Sequence, residues 1–183
     1  MSASQESRLR QVALINGSFE EPAIPAGTHQ LIPDASQTDA PVRVQGWRTT
    51  APDHTIEIWR APSQDVSAAV GTQFAELNSY TVSTLYQDLE TTPGTTLHWS
   101  LYHRGRLAEN VMALDIGAPG TMVEQRRMAD GNTAWRRYTG TYTVPNGQTI
   151  TRFSLRPVAA AGSNQAPGNL LDGISFGTEK PTG

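Results

Sequence analysis

The stretch TLYQDLETTPGTTLHWSLYH, residues 84–103, contains two strand patterns separated by turn residues. Residues 84–89 predict a short strand, because Thr, Tyr and Leu in a brief run favour a pleated, half-buried surface. Thr91-Thr92-Pro93-Gly94 follows, and this combination is typical of a tight turn. Residues 96–103 then predict a second strand, so the stretch is expected to form two strands joined by a turn.

Strand patterns recur on both sides of this stretch. Residues 55–59 alternate, with Ile56 and Ile58 on one face and Glu57 and Trp59 on the other. Further strands are predicted at residues 12–15, 73–78, 111–116, 135–144, 149–158 and 169–176. Residues 122–129 are compatible with a short helix or a polar strand. About nine short strands without interleaved helices favour an all-β sandwich of two antiparallel sheets, and a jelly roll is the expected version.

Composition limits both the organisation and the class of function. The length of 183 residues suits one domain, expected at residues 12–177 between polar tails at 1–11 and 178–183. The absence of cysteine excludes disulfides, thiolate metal sites and a cysteine nucleophile. A net charge of −3 provides no broad basic surface for nucleic acid, so the arginine pairs at 126–127 and 136–137 are expected to be solvated edges.

The sequence predicts no membrane span, because no apolar run approaches the ~20 residues that a transmembrane helix needs. The opening MSASQESRLR lacks the apolar core of a secretory signal peptide, and the localisation is left open.

The two ends of the chain carry a recognisable pattern. Its parts are Asn16-Gly17-Ser18-Phe19-Glu20, Gly46-Trp47 and Leu171-Asp172-Gly173-Ile174-Ser175-Phe176. This pattern resembles the galactose-binding-like jelly rolls of the carbohydrate-binding module class, in which an N-G-x-F-E strand lies beside a closing L-D-x-[IV]-x-F strand. Residues 71–78, 85–88 and 99–106 are similar to modules of bacterial surface and secreted proteins, which are usually exported. The resemblance spans residues 12–176.

The resemblance implies a structural calcium ion where the first and last strands meet. Glu20 and Asp172 match the carboxylate ligands of such modules, and Asn16 or its neighbours are candidates for further oxygen donors. Ca²⁺ takes about 6–8 oxygen ligands, which two carboxylates and backbone carbonyls can supply. Its expected role is to pin the chain ends together. The alternative is that both acidic residues are solvated or capping turn residues.

A ligand site is expected where polar and aromatic side chains share a sheet face. Trp59 is the candidate stacking platform for a pyranose ring, and the arginines are candidates for charge-assisted hydrogen bonds. The full set of candidate ligand-binding residues is Glu57, Trp59, Glu76, Asn78, His103, Arg104 and Arg106. Two alternatives stay open: the cluster is a structural polar network with Glu76 paired to an arginine, or a one-residue slip inverts the strand faces.

Three classes of function follow from these residues. The leading one is a calcium-stabilised, non-catalytic module that binds a glycan or another small molecule. The runner-up is a small calcium-dependent cyclase or isomerase, because bacterial indole-alkaloid cyclases resemble this fold. In that case Glu57 or Glu76 would be the general acid, with its pKa raised by desolvation beside Trp59 or Phe74. A module that binds another protein is the third.

Overall fold

The computed structural model describes residues 11–77, 82–158 and 168–181. Within them the chain forms eleven strands and no helix, and no helix there is long and apolar enough to cross a membrane. The strands are β1 (His29–Pro33), β2 (Arg48–Thr49), β3 (Thr55–Arg60), β4 (Gln73–Glu76), β5 (Leu85–Glu90), β6 (Thr96–Gly105), β7 (Asn110–Gly117), β8 (Val123–Asp130), β9 (Arg136–Thr143), β10 (Ile150–Pro157) and β11 (Asn169–Gly177).

The strands form two sheets whose neighbouring strands pair antiparallel. A six-stranded sheet has the order β1-β3-β4-β11-β6-β9, and a five-stranded sheet has the order β2-β5-β10-β7-β8. The predicted all-β fold, a jelly-roll β-sandwich of two antiparallel sheets, is confirmed.

Strand alternation explains where the main core lies. In β5, Leu85 and Leu89 are buried, whereas Tyr86 and Asp88 point away from the partner sheet. Phe153 of β10 meets Phe176 of β11 across the sandwich, with ring centroids 5.0 Å apart. Because every second side chain enters this space, the apolar positions of both sheets form one continuous core.

The chain ends come together as the resemblance implies. The N–H of Leu14 donates to the carbonyl of Phe176, and the N–H of Thr178 donates to that of Val12. Gly17 lies so close to the last strand that a Cβ atom there would be 1.7 Å from the carbonyl oxygen of Ile174. Residues 12–15 nevertheless form only an isolated bridge, between Ala13 and Gly177, and no full strand.

Three strands were not predicted as such. Residues 122–129, left open between a helix and a strand, fall almost entirely in β8, whose exposed edge explains its polar sequence. The short β2 and the Pro-ended β1 carry little alternation, and their pairing with β5 and β3 provides what local propensity does not.

Candidate functional site

The predicted cluster begins on the outer face of the six-stranded sheet. Glu57 of β3 lies opposite Glu76 of β4 in the register, and Trp59 lies opposite Phe74. The structure therefore brings Glu57, Trp59 and Glu76 to one face, as alternation predicted. All three side chains are buried, however.

The Trp59 side chain is enclosed by other side chains and is not exposed to a ligand. Its indole is 2% exposed. It stacks on His29 with centroids 4.7 Å apart and on Phe74 at 6.0 Å, and the Arg106 guanidinium lies 4.7 Å from the indole centroid. An indole so covered leaves no ring face for a pyranose, so the expected platform is instead the centre of a second apolar cluster.

This second cluster, the Trp59 cluster, consists of Trp59, Val66, Phe74 and Leu170, with Ala61, Ala68 and Trp135 packed against it. Trp135 closes it from the side, since its Nε1 donates to the carbonyl of Ser67 at 2.7 Å. Arg104 lies 5.9 Å from the Trp135 ring centroid and donates to the carbonyl of Asn132. Arg104 therefore helps to hold Trp135 against the Trp59 cluster.

Glu76 and Arg106 form a partly buried ion pair at the rim of the Trp59 cluster. Nη1 of Arg106 donates to both carboxylate oxygens of Glu76, at 3.1 and 3.2 Å. Burial, and next the charge of Glu57, raise the pKa of Glu76 to about 7, although Arg106 opposes the shift. Glu76 is therefore a carboxyl group that titrates near neutral pH.

The space beside the two acids is small. A pocket of about 20 Å³, lined among others by Glu57, Glu76 and Leu77, has room for about one water molecule. Two buried donors nearby, Nε1 of Trp59 and Nε of Arg106, have no acceptor among the described residues. Among the described residues the arrangement therefore has an acid for proton transfer beside a pocket too small for a cyclase substrate.

His103 lies on the other side of its strand. It is fully buried, with Nδ1 2.7 Å from Asp130 Oδ2 and Nε2 2.9 Å from Asn169 Oδ1. Burial would raise the pKa of Asp130, but hydrogen bonds from His103 and Tyr138 outweigh it and lower that pKa. The structure thus separates His103 from the face that Glu57 and Glu76 share, because its neighbours on β6 take the outward positions. Asn78 lies outside the described residues.

The two acids of the expected calcium site converge on one segment, residues 69–73. Glu20 Oε1 accepts the backbone N–H groups of Thr72 and Gln73 at 2.6 and 2.9 Å, and Oε2 accepts the Thr72 hydroxyl. Asp172 Oδ2 accepts the N–H groups of Ala69 and Val70 at 2.7 and 2.8 Å. Burial raises the pKa of Asp172 to about 7, and the charge of Glu20 adds to this.

These two carboxylates are already engaged by hydrogen-bond donors and keep little capacity for a cation. Each accepts three hydrogen bonds, counting Gly173 N–H to Asp172 Oδ1, out of about four lone-pair sites. Asn16 instead pins the turn: its Nδ2 donates to the carbonyls of Glu21 and Gln45, and its Oδ1 accepts from Glu21 N–H. No group of three or more metal-ligating His, Asp or Glu side chains occurs among the described residues, so backbone carbonyls would have to complete such a site.

A second polar and aromatic arrangement lies on the outer face of the five-stranded sheet, which we call the Tyr86 face. Arg152 places its guanidinium 3.9 Å from the ring centroid of the half-buried Tyr86. The same guanidinium donates two hydrogen bonds to Asp88, at 2.7 and 2.8 Å. Arg48 is exposed and pairs with Tyr86 in the register.

The Tyr86 face continues onto β7 and β8. Arg156 donates to both oxygens of Asp115, at 2.8 and 3.3 Å, and to Glu124 at 3.2 Å. Ser154 and Ala113 are buried between these long side chains. This face was not predicted from the sequence, although alternation in residues 86–90 and 152–156 places aromatic, acidic and basic side chains on one side of two strands.

Comparison with solved structures places the fold. The CBM22-1-CBM22-2 tandem domain of Paenibacillus barcinonensis Xyn10C aligns at 14% identity and TM-score 0.53, over 88% of this chain and 48% of that one. The CBM22-1 xylan-binding domain of the same protein aligns at 12% identity and TM-score 0.52, over 87% and 100%. The CBM22-1–GH10 modules of Clostridium thermocellum xylanase 10B, complexed with xylohexaose, align at 12% identity and TM-score 0.51. This alignment covers 75% of this chain and 27% of that one.

These likenesses establish the fold: the chain is a jelly-roll β-sandwich of the kind found in carbohydrate-binding modules. No protein-family model matches the chain, and a search of curated proteins found no match.

Proposed function

We propose that this protein is a non-catalytic glycan-binding module whose ligand binds on the Tyr86 face. The observation that carries the proposal is the half-buried Tyr86 ring flanked by the Arg152–Asp88 and Arg156–Asp115 pairs. The fold supports it, since structural neighbours include a xylan-binding domain and a xylanase module complexed with xylohexaose.

The chemistry of the Tyr86 face suits a polyhydroxylated ligand. Arg152 covers one face of the Tyr86 ring, so the stacking surface for the C–H face of a pyranose would be the opposite face of the ring, with the hydroxyl at its end. Ion-paired arginine and aspartate side chains offer fixed donors and acceptors to sugar hydroxyls. Because these side chains are already held by each other, less conformational entropy is lost when the glycan binds.

Calcium belongs to the same proposal as a structural ion. Glu20 and Asp172 would hold it, together with backbone carbonyls, and it would neutralise the repulsion that contributes to the raised pKa of Asp172. The ion would stabilise the contact between the segment at 69–73 and the two chain ends. It would make no contact with the glycan, because Asp172 belongs to the six-stranded sheet and the Tyr86 face to the other.

The test is calorimetry with neutral xylo- and galacto-oligosaccharides on wild type, Tyr86→Ala, Arg152→Gln and the control Arg43→Gln. Arg43 bonds the carbonyl of Thr38 and belongs to neither sheet, so its variant should bind as wild type does. We expect Tyr86→Ala to lose about 10- to 100-fold in affinity, the cost of one stacking aromatic in a shallow site. If no oligosaccharide binds, or if both face variants bind as wild type does, the proposal is wrong.

A second candidate, acid catalysis on a small apolar substrate, is favoured by one observation, the pKa of about 7 at Glu76. Against it, Arg106 engages both oxygens of Glu76 and the adjacent pocket is about 20 Å³. A thermal melt with indoles and terpenoids separates the two functions: stabilisation by an apolar compound, lost in Glu76→Gln, would favour catalysis.

A further inference from the structure

Three arginines of the five-stranded sheet are paired with carboxylates of the same sheet. The pairs and their N···O distances are Arg127–Glu124 at 2.9 Å, Arg152–Asp88 at 2.7 Å and Arg156–Asp115 at 2.8 Å. Each of these guanidinium groups therefore has an anionic partner within the protein, and a negatively charged ligand would have to compete with that partner.

Arg48, on β2, lacks such a partner. Its side chain is exposed, and among residues 11–77, 82–158 and 168–181 no carboxylate lies within ion-pair distance of it. The carboxylate of Asp34 is bound to the adjacent residue of β2, since its Oδ2 accepts the N–H of Thr49 at 2.9 Å, but Asp34 is buried. The Arg48 guanidinium is therefore a positive charge that the described part of the chain leaves open to solvent.

Arg48 stands next to the aromatic ring of the proposed site. It is the direct partner of Tyr86 in the register of β2 and β5, so the two side chains share one face, with Cβ atoms about 4.5–5.5 Å apart. Because β5 lies between β2 and β10, Arg48 and Arg152 flank Tyr86 on opposite sides of its strand. Arg152 covers one face of the ring, at 3.9 Å from the centroid. A sugar on the other ring face would lie within reach of the long Arg48 side chain.

A carboxylate is the group that best suits an unpaired guanidinium. The N–H donors of the guanidinium form a planar fork that matches both oxygens of a carboxylate. Hydrogen bonds of this charge-assisted kind are about twice as strong as neutral ones, such as those to sugar hydroxyl groups. Because Arg48 is exposed, the pair would stay partly solvated, and its contribution to affinity is modest.

We infer that the Tyr86 face prefers glycans that carry a carboxylate, and that Arg48 sets this preference. One sugar unit would stack on the open face of Tyr86, and a carboxylate on that unit or on the next would pair with Arg48, as Asp88 does with Arg152. This inference rests on the proposed glycan-binding function. It names the class of glycan that the site selects, which is an oligosaccharide containing a uronic acid.

The test compares two forms of one ligand by calorimetry. The first is a xylo-oligosaccharide with a single glucuronic acid branch, and the second is the same compound with its carboxylate methyl-esterified, which removes the charge and keeps the shape. On wild type we expect the acid to bind about three- to tenfold more tightly than the ester. Arg48→Gln should bring this ratio to about one. Arg48→Lys should keep part of it, because the charge stays and the planar fork is lost.

Arg43→Gln is the matched control, since it removes the same charge at a position outside both sheets and should keep the preference for the acid. Thermal melts report whether each variant is folded. Equal affinity of wild type for acid and ester overturns the inference and leaves the proposed function standing. A preference that survives in Arg48→Gln, or that Arg43→Gln also removes, overturns it as well. If neither form binds, the inference and the proposed function are both wrong.

Discussion

The outer faces of the two sheets carry the same types of residue and put them to opposite uses. On the six-stranded sheet, Trp59, Glu76 and Arg106 are packed together under Trp135 and the segment at 61–68. On the five-stranded sheet, Tyr86, Arg152 and Asp88 form a similar aromatic, basic and acidic group that stays at the surface.

Whether such a group is available to a ligand therefore depends on the residues packed over it and not on its own composition. Covering an aromatic and acidic cluster removes its stacking surface and raises the pKa of its carboxyl group, as at Glu76. Leaving such a cluster open keeps its ion pairs partly solvated, and the donor and acceptor sites that the pairs do not use stay accessible to a sugar.

The largest expected effect is the loss of the Trp59 side chain. We expect Trp59→Ala to lower the free energy of unfolding by about 3–5 kcal/mol, because a fully buried indole is removed. Thermal and chemical denaturation measure it, and Tyr86→Ala serves as the comparison, with a much smaller loss. An unchanged melting temperature combined with lost glycan affinity would show that Trp59 is the platform after all.

The second-largest expected effect is the loss of stability when calcium is removed. If the ion binds as proposed, adding excess chelator to wild type in free calcium at a few hundred times the Kd lowers the free energy of unfolding by about 3–4 kcal/mol. Asp172→Asn should abolish this sensitivity, while Asp39→Asn, at an exposed loop position, should keep it. A melt that is identical with and without chelator would rule the ion out.

The covered face should also give the fold a pH dependence. Burial raises the pKa of Glu76 from an ordinary 4.5 to about 7, so the folded state holds a proton that the unfolded chain has released. This contribution is fully present below pH 4.5 and is lost as the pH rises through about 7, a fall of roughly 3 kcal/mol.

Glu76→Gln should flatten this part of the stability profile, which denaturant titrations from pH 4 to 8 measure. Glu109→Gln, at an exposed position, should leave the slope as it is in wild type. The opposite slope, with stability rising between these pH values and depending on Glu76, would show that Arg106 keeps the carboxylate ionised.

The smallest effect on stability is expected on the open face. Arg152→Gln removes a partly exposed ion pair with Asp88, which is worth at most about 1 kcal/mol. We nevertheless expect it to weaken glycan binding several-fold, because a fixed donor of the Tyr86 face is lost. A large drop in melting temperature would mean that this pair is structural, like the one at Glu76.

Much of the fold was accessible from the sequence, since alternation and turn residues specify strands locally. Residues 55–59, 84–89 and 96–103 all fall within or next to observed strands. β1 and β2 could not be predicted from the sequence, because neither carries an alternating pattern and each is stabilised by its partner strand. Less of the candidate site could be predicted from the sequence. Alternation placed Glu57, Trp59 and Glu76 on one face but gave no information about what covers that face.

The sequence by itself determined the period-two pattern, the turns and hence an antiparallel sandwich, because these properties depend on neighbours within a few residues. Only the assembled structure fixes that His103 faces Asp130 inside the sandwich and that the Trp59 ring is covered by His29, Phe74 and Arg106, whereas Tyr86 stays half-exposed. Burial depends on residues that are distant in the chain, 27 positions apart for His103 and Asp130 and 47 for Trp59 and Arg106, and only the assembled sheets bring them into contact.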